Sequence, residues 1–408
     1  MVGRRIAASG RVGHAMAALD ALTSALEPPF AVVDLDAFDR NAARLVERAA
    51  GTPIRVASKS VRCRSLMIRA LRHEGFRGVL AFSLPEALWL VAGEGETLAA
   101  GHDVLVAYPS VDRSALARLA ADEEARRRVT VMADCHTHLD LASAAMREHG
   151  RGDAPLRVCL DVDASYRIGR VHVGARRSPL RTESDVVPLL RRLVDSDVLA
   201  PAGLMFYDAQ IAGIADSNRL IREVQRRSAA ELAGRRRRIV DAARAVAGSA
   251  LLVNAGGTGS LHVMGIDTVV TELAAGSGLF APHLFDGYSS FAPEPAAFFV
   301  APVVRRPAPR IVTVLGGGLV ASGAAGRSRL PKPWWPEGLR LIGAEGAGEV
   351  QTPLVTPHET GLDVGDRVWF RHAKAGELCE RFDHLHLVAA GDLAGTTPTY
   401  RGEGRCFG

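Results

Sequence analysis

The sequence predicts a (β/α)₈ TIM-type barrel followed by an antiparallel β domain. Two observations carry that expectation. Between residues 53 and 275, eight short β-branched runs alternate with longer amphipathic stretches. From about residue 286, proline and glycine become frequent, and the remaining apolar runs are short.

The elements follow in order. An entry segment, PFAVVDLDAF, leads into a helix near 36–50. The strand candidates are PIRVAS (53–58), GVLAF (78–82), DVLVAY (103–108), VTVMAD (129–134), LRVCLDVD (156–163), AGLMFYD (202–208), ALLVNAG (250–256) and VVTELAA (269–275). Helical periodicity covers 111–122, 137–148 and 216–247. Beyond them, AAFFVAPVV, RIVTVLGG, RVWFRH and HLHLVAA read as strands of a second domain, and 316–338 reads as a long loop. The expected organisation is an extension over 1–27, a barrel over 28–285 and a β domain over 286–408. A doubly wound sheet is the rival fold, because GGTGS (256–260) follows a strand. That fingerprint belongs on a first strand with an acidic residue about twenty positions later, and here it lies on the seventh.

Composition narrows the class. The net charge is +5, but the basic runs RRRR (235–238) and EEARRR (123–128) lie in helical patterns without interleaved aromatics. They read as solvated faces, so no nucleic-acid partner is expected. No apolar run approaches the roughly 18–20 residues of a membrane span. The first 27 residues lack the pattern of a signal peptide, so a cytoplasmic location is expected. The five cysteines are scattered and suit a reducing compartment.

Of 50 basic residues only three are lysines: Lys59, Lys332 and Lys374. Only lysine offers a primary amine that burial can deprotonate. Lys59 directly follows the first strand and would point into the barrel mouth, where active sites of this architecture sit. GGTGS after strand seven and AAGSG (274–278) after strand eight are small-residue loops of the kind that approach an anion closely, with Thr258 and Ser277 as hydroxyl donors. Arg167, beyond strand five, could face a cofactor ring. Tyr207 and Gln210, beyond strand six, could stack on it or hydrogen-bond to it.

Taken in order, PFAVVDLDAFDRNAARL, IRVASKS, LDVDASYRIG, GLMFYDAQ, NAGGTGS and ELAAGSGLF resemble the fold-type III pyridoxal-phosphate (PLP) enzymes of the alanine racemase N-terminal-domain superfamily. The resemblance is to the branch of D-threonine aldolases and D-serine dehydratases and spans about 28–390. It implies PLP as cofactor and Lys59 as the Schiff-base lysine, with Gly257, Thr258, Gly259, Gly276 and Ser277 around the phosphate. It also implies a homodimer in which each β domain helps complete the neighbour's site. The implied activity is a lyase acting on a small β-hydroxy amino acid of D configuration by retro-aldol cleavage. β-Elimination, racemisation and a non-catalytic PLP-binding role remain alternatives.

The chain departs from that branch in places. The histidine-rich surroundings of the lysine are reduced to RVASKSVRC, and Gly278 replaces the usual aromatic residue. The branch holds a divalent metal on a His-x-Cys or His-x-Asp pair in the β domain. The corresponding stretch, RVWFRHAKAGELCERFDHLHLV, offers His372, Glu377 and Cys379 as ligands for zinc or manganese, with 377 and 379 on one face if the segment is a strand.

Overall fold

A computed structural model describes residues 13–93, 95, 98–99, 101–357 and 361–407. Strand β1 (Phe30–Asp34) comes first and does not enter the barrel. The closed parallel barrel consists of β2 (Ile54–Ala57), β3 (Phe76–Ala81), β4 (Val104–Val106), β5 (Val129–Ala133), β6 (Leu156–Asp161), β9 (Leu199–Phe206), β10 (Leu252–Ala255) and β11 (Glu272–Ala275). A hairpin, β7 (Tyr166–Ile168) with β8 (Val171–Val173), is inserted after β6. The eight predicted strands are therefore the eight barrel strands.

Register sets what meets at the mouth. Ala275 of β11 pairs with Val56 of β2, so Gly276–Ser277 and Ser58–Ser60 leave the barrel side by side. Ala255 pairs with Phe206, which brings Gly256 beside Tyr207. At the barrel's other end Arg55 donates to Glu272 (2.6 Å) and Asp103 (2.9 Å), and Asn254 also reaches Glu272 (2.7 Å). These charges close the floor. Leu105, Met132, Cys159 and Met205 pack together in a separate cluster of buried barrel-strand side chains.

The second sheet contains β12 (Ala297–Ala308), β13 (Ile311–Leu315), β14 (Lys332–Trp335), β15 (Arg340–Leu341), β16 (Gln351–Val355), β17 (Arg367–Arg371), β18 (His384–Ala389) and β19 (Asp392–Pro398). β1 lies at its centre, antiparallel to β12 and parallel to β18. The entry segment thus belongs to this sheet, although the sequence reading grouped it with the barrel. FAVVD is buried on both faces, and a continuous apolar run does not specify which sheet receives it.

Within the expected extension, residues 13–22 form a helix, while 1–12 lie outside the described residues. Met16 and Leu19 pack on Phe30, Phe298 and Trp369, and Trp369 Nε1 donates to Asp20 at 2.9 Å. The basic run at 235–238 falls in helix Arg219–Ala247, and half of it is not solvated. Arg235 and Arg236 are buried, paired with Glu231 and Asp267. Arg235 also donates to the carbonyls of Asp163 and Ser165, holding the turn after β6. Among the described residues no helix is long and apolar enough to cross a membrane.

Candidate active site

A cavity of about 600 Å³ opens at the C-terminal end of the barrel. Its walls come from the loops after β2, β4, β9, β10 and β11 and from the second domain. Lys59 sits in a single 3₁₀ turn, Ser58–Ser60, directly after β2. Its Nζ donates to the Tyr108 hydroxyl at 3.1 Å and lies 5.8 Å from the ring centres of both Tyr108 and Tyr207. Arg177 stands over the same two rings, at 5.3 and 5.2 Å. Burial works against ionisation of Tyr108, but Lys59 and Arg177 outweigh it and hold the phenol below its usual range.

The two small-residue loops meet as the sequence suggests. Ser277 Oγ donates to Thr258 Oγ1 at 3.1 Å, and the Gly278 N–H donates to the same oxygen at 3.2 Å. Gly257, Thr258, Gly276 and Ser277 line the cavity. A Cβ on Gly276 would fall 2.5 Å from the Ala57 carbonyl, so a bare backbone is required there. A Cβ on Gly259 would strike the Ala212 carbonyl at 2.3 Å; this glycine packs the loop, and it is not among the lining residues.

Other predicted positions are placed differently. Arg167 lies on β7, exposed, paired with Asp163 at 2.7 Å and away from the cavity. The guanidinium that stands over the tyrosines at the mouth is that of Arg177. Gln210 is buried behind the wall, donating to the Ala164 carbonyl (2.7 Å) and Ser228 (2.9 Å). Tyr207 does line the cavity. Beside it Asp208 is fully buried, and burial pushes its carboxyl up to about 6.

The segment expected to hold a metal is not a strand. Ala375–Cys379 is one helical turn, so alternation does not align Glu377 with Cys379. Cys379 is buried in the main core. His372 is fully buried, edge-on to Phe280 at 6.2 Å, and burial together with Arg371 lowers its pKa to about 3. Glu377 alone of the three lines the cavity, accepting from the Ser322 N–H at 3.0 Å. Among the described residues the one trio of possible ligands within 4.8 Å of one another is Asp134, Cys135 and His138, after β5. Residues 372, 377 and 379 are not brought together as a ligand set in this arrangement.

Tyr108, Arg177, Tyr288, Arg329 and Lys374 also line the cavity, and sequence reasoning assigned none of them to the site. Tyr108 carried a usable signal, an aromatic residue ending a barrel strand. Arg177 carried none among so many arginines.

The sequence profile of the alanine racemase N-terminal domain matches residues 33–279. The chain belongs to this family. Within it, PLP is the expected cofactor. Solved structures share the fold over most of the chain. D-threonine aldolase from Filomicrobium marinum superposes with a TM-score of 0.75 at 23% identity, over 92% of this chain and 95% of its own. D-threo-3-hydroxyaspartate dehydratase from Delftia sp. HT23 gives 0.70 at 21% identity, over 91% and 97%. Alanine racemase of Clostridium difficile 630 with cycloserine gives 0.65 at 12% identity, over 91% and 98%. At these identities the likeness is one of fold. No curated protein matches the chain by sequence.

Proposed function

We propose that the chain is a PLP-dependent lyase that cleaves a small β-hydroxy amino acid of D configuration, as a cytoplasmic homodimer. The observation that carries this reading is the placement of Lys59. Its amine is held by Tyr108 at the barrel mouth, in a cavity that the Thr258–Ser277 clasp also lines. A primary amine, a loop where no Cβ fits and two hydroxyls form a donor set that suits an aldehyde carrying a phosphate. When bound, PLP supplies the electron sink that tolerates negative charge at the substrate's Cα.

The chain's own residues supply the rest. Lys59 Nζ would hold the cofactor and supply the proton that Cα takes up once the Cα–Cβ bond has broken. Tyr108 keeps that amine in place, and its lowered pKa suits it to share the proton. Tyr207 walls the cavity, and Arg177, unlike Arg167, is positioned to bind the α-carboxylate. Glu377 is the one carboxylate among the lining residues. Oriented by the Ser322 N–H, it is the group we assign to take the β-hydroxyl proton as the Cα–Cβ bond breaks. No step is routed through a metal, because residues 372, 377 and 379 do not converge. The five free cysteines accord with a reducing compartment.

The test is spectroscopic, then chemical. Purified protein should show a visible PLP absorption band that is absent from Lys59→Ala. Protein that cannot be reconstituted with PLP would end the reading. D-Threonine should then yield glycine and acetaldehyde in equal amounts, whereas ammonia and a keto acid would assign the elimination route instead.

A further inference from the structure

The second domain gives the cavity two cations that the proposed chemistry leaves without a role. Lys374 and Arg329 line it together with Ser322 and Ser328. Lys374 Nζ donates to Ser322 Oγ at 3.2 Å, and the buried Arg329 Nε has no hydrogen-bond partner. Among the described residues neither cation forms an ion pair. They also crowd each other: burial, then Arg329, depresses the pKa of Lys374, and Lys59 adds to this, while Glu377 partly compensates. The other lining arginines have a partner or an assigned role. Arg62 pairs with Glu380, and Arg177 stands over the tyrosine rings.

Two adjacent unpaired cations in a recess are costly without an anion, and they concentrate anions from solution. The cofactor's phosphate is accounted for at the Thr258–Ser277 clasp, and the α-carboxylate at Arg177. A further negative group is what this wall fits. We infer that Lys374 and Arg329 form a subsite for a carboxylate on the substrate's side chain, making the substrate an acidic amino acid. This rests on the lyase reading above. It also gives a role to the glycine-rich loop at 316–331, which delivers Ser322, Ser328 and Arg329 to the mouth.

The experiment compares D-aspartate with its neutral isostere D-asparagine, neither of which carries a β-hydroxyl to be cleaved. Dissociation constants are read by calorimetry on the PLP-loaded protein. D-Aspartate should bind about tenfold more tightly or better, the scale of one charge-assisted contact. Lys374→Gln should abolish the preference, and Arg329→Gln should weaken it, with cofactor content unchanged in both. Equal binding of the two ligands by the wild type would overturn the subsite without any variant, as would a preference that survives both substitutions. Protein that fails to take up PLP would instead overturn the lyase reading, and the subsite with it.

Discussion

Tyr400 donates its hydroxyl to Glu86 Oε1 at 2.8 Å, tying the C-terminal segment to the barrel beside Ser58. The Phe82 N–H holds the other carboxyl oxygen at 2.7 Å. Burial pushes Glu86 up to about 7 from 4.5, although the bonds from Ser58, Phe82 and Tyr400 pull it back in part.

That shift makes stability pH-dependent. Below pH about 4.5 the carboxyl is protonated in both states and its contribution is fully present. As pH rises toward 7 the unfolded chain loses the proton while the folded one keeps it, so stability falls by on the order of 3 kcal/mol. Chemical denaturation from pH 5 to 8 should show this loss, and Glu86→Gln should flatten it. A Glu86→Gln profile parallel to wild type would show that another group, such as the buried Asp161, carries the dependence.

Arg177 and Arg167 should separate cleanly. Arg177→Leu removes the guanidinium over Tyr108 and Tyr207 and should raise KM by about tenfold or more, the scale of a charge-assisted bond. Arg167→Leu removes a half-exposed guanidinium from the buried Asp163, which Arg181 still holds at 3.0 Å outside the cavity lining, and should leave KM within about twofold. The reverse ranking would restore the sequence-based choice of Arg167.

The barrel floor is a third test. Arg55 and Glu272 are both nearly inaccessible, and the ion pair between them is desolvated. Arg55→Met leaves the Glu272 carboxylate buried with only Asn254 as donor, and should cost about 3–5 kcal/mol in urea denaturation. The double variant Arg55→Met/Glu272→Met should recover much of that loss. If it is no more stable than the single variant, then packing rather than uncompensated charge sets the cost.

What the sequence revealed follows from the range of the interactions involved. The barrel strands were legible because each is a short β-branched run, and Lys59, Thr258 and Ser277 because they end such runs. Contacts made across the fold were not. Asp20 meets Trp369, and Tyr400 meets Glu86, over hundreds of residues, and no local pattern encodes either pairing. Arg167 and Arg177 stand in similar local surroundings, and only the β7–β8 hairpin turns one away from the mouth. The segment after His372 lacked strand alternation, but two polar residues spaced by two also suit a helical turn that presents only one of them.

Glu377 is where the sequence reading and the structure diverge most in chemical meaning. As a metal ligand it would need His372 and Cys379, which are packed in the interior. As a base it needs only reach and orientation, and it faces the cavity with one oxygen held by Ser322. Glu377→Gln should therefore lower the cleavage rate by about 10²–10⁴-fold with the PLP band intact, the range for loss of a general base. Cys379→Ala should leave the rate within about twofold while lowering stability by about 1–2 kcal/mol through lost packing. Dialysis against a chelator should leave wild-type turnover unchanged. A rate lost on chelation and restored by manganese or zinc would return Glu377 to a ligand role and require partners for the metal other than His372 and Cys379.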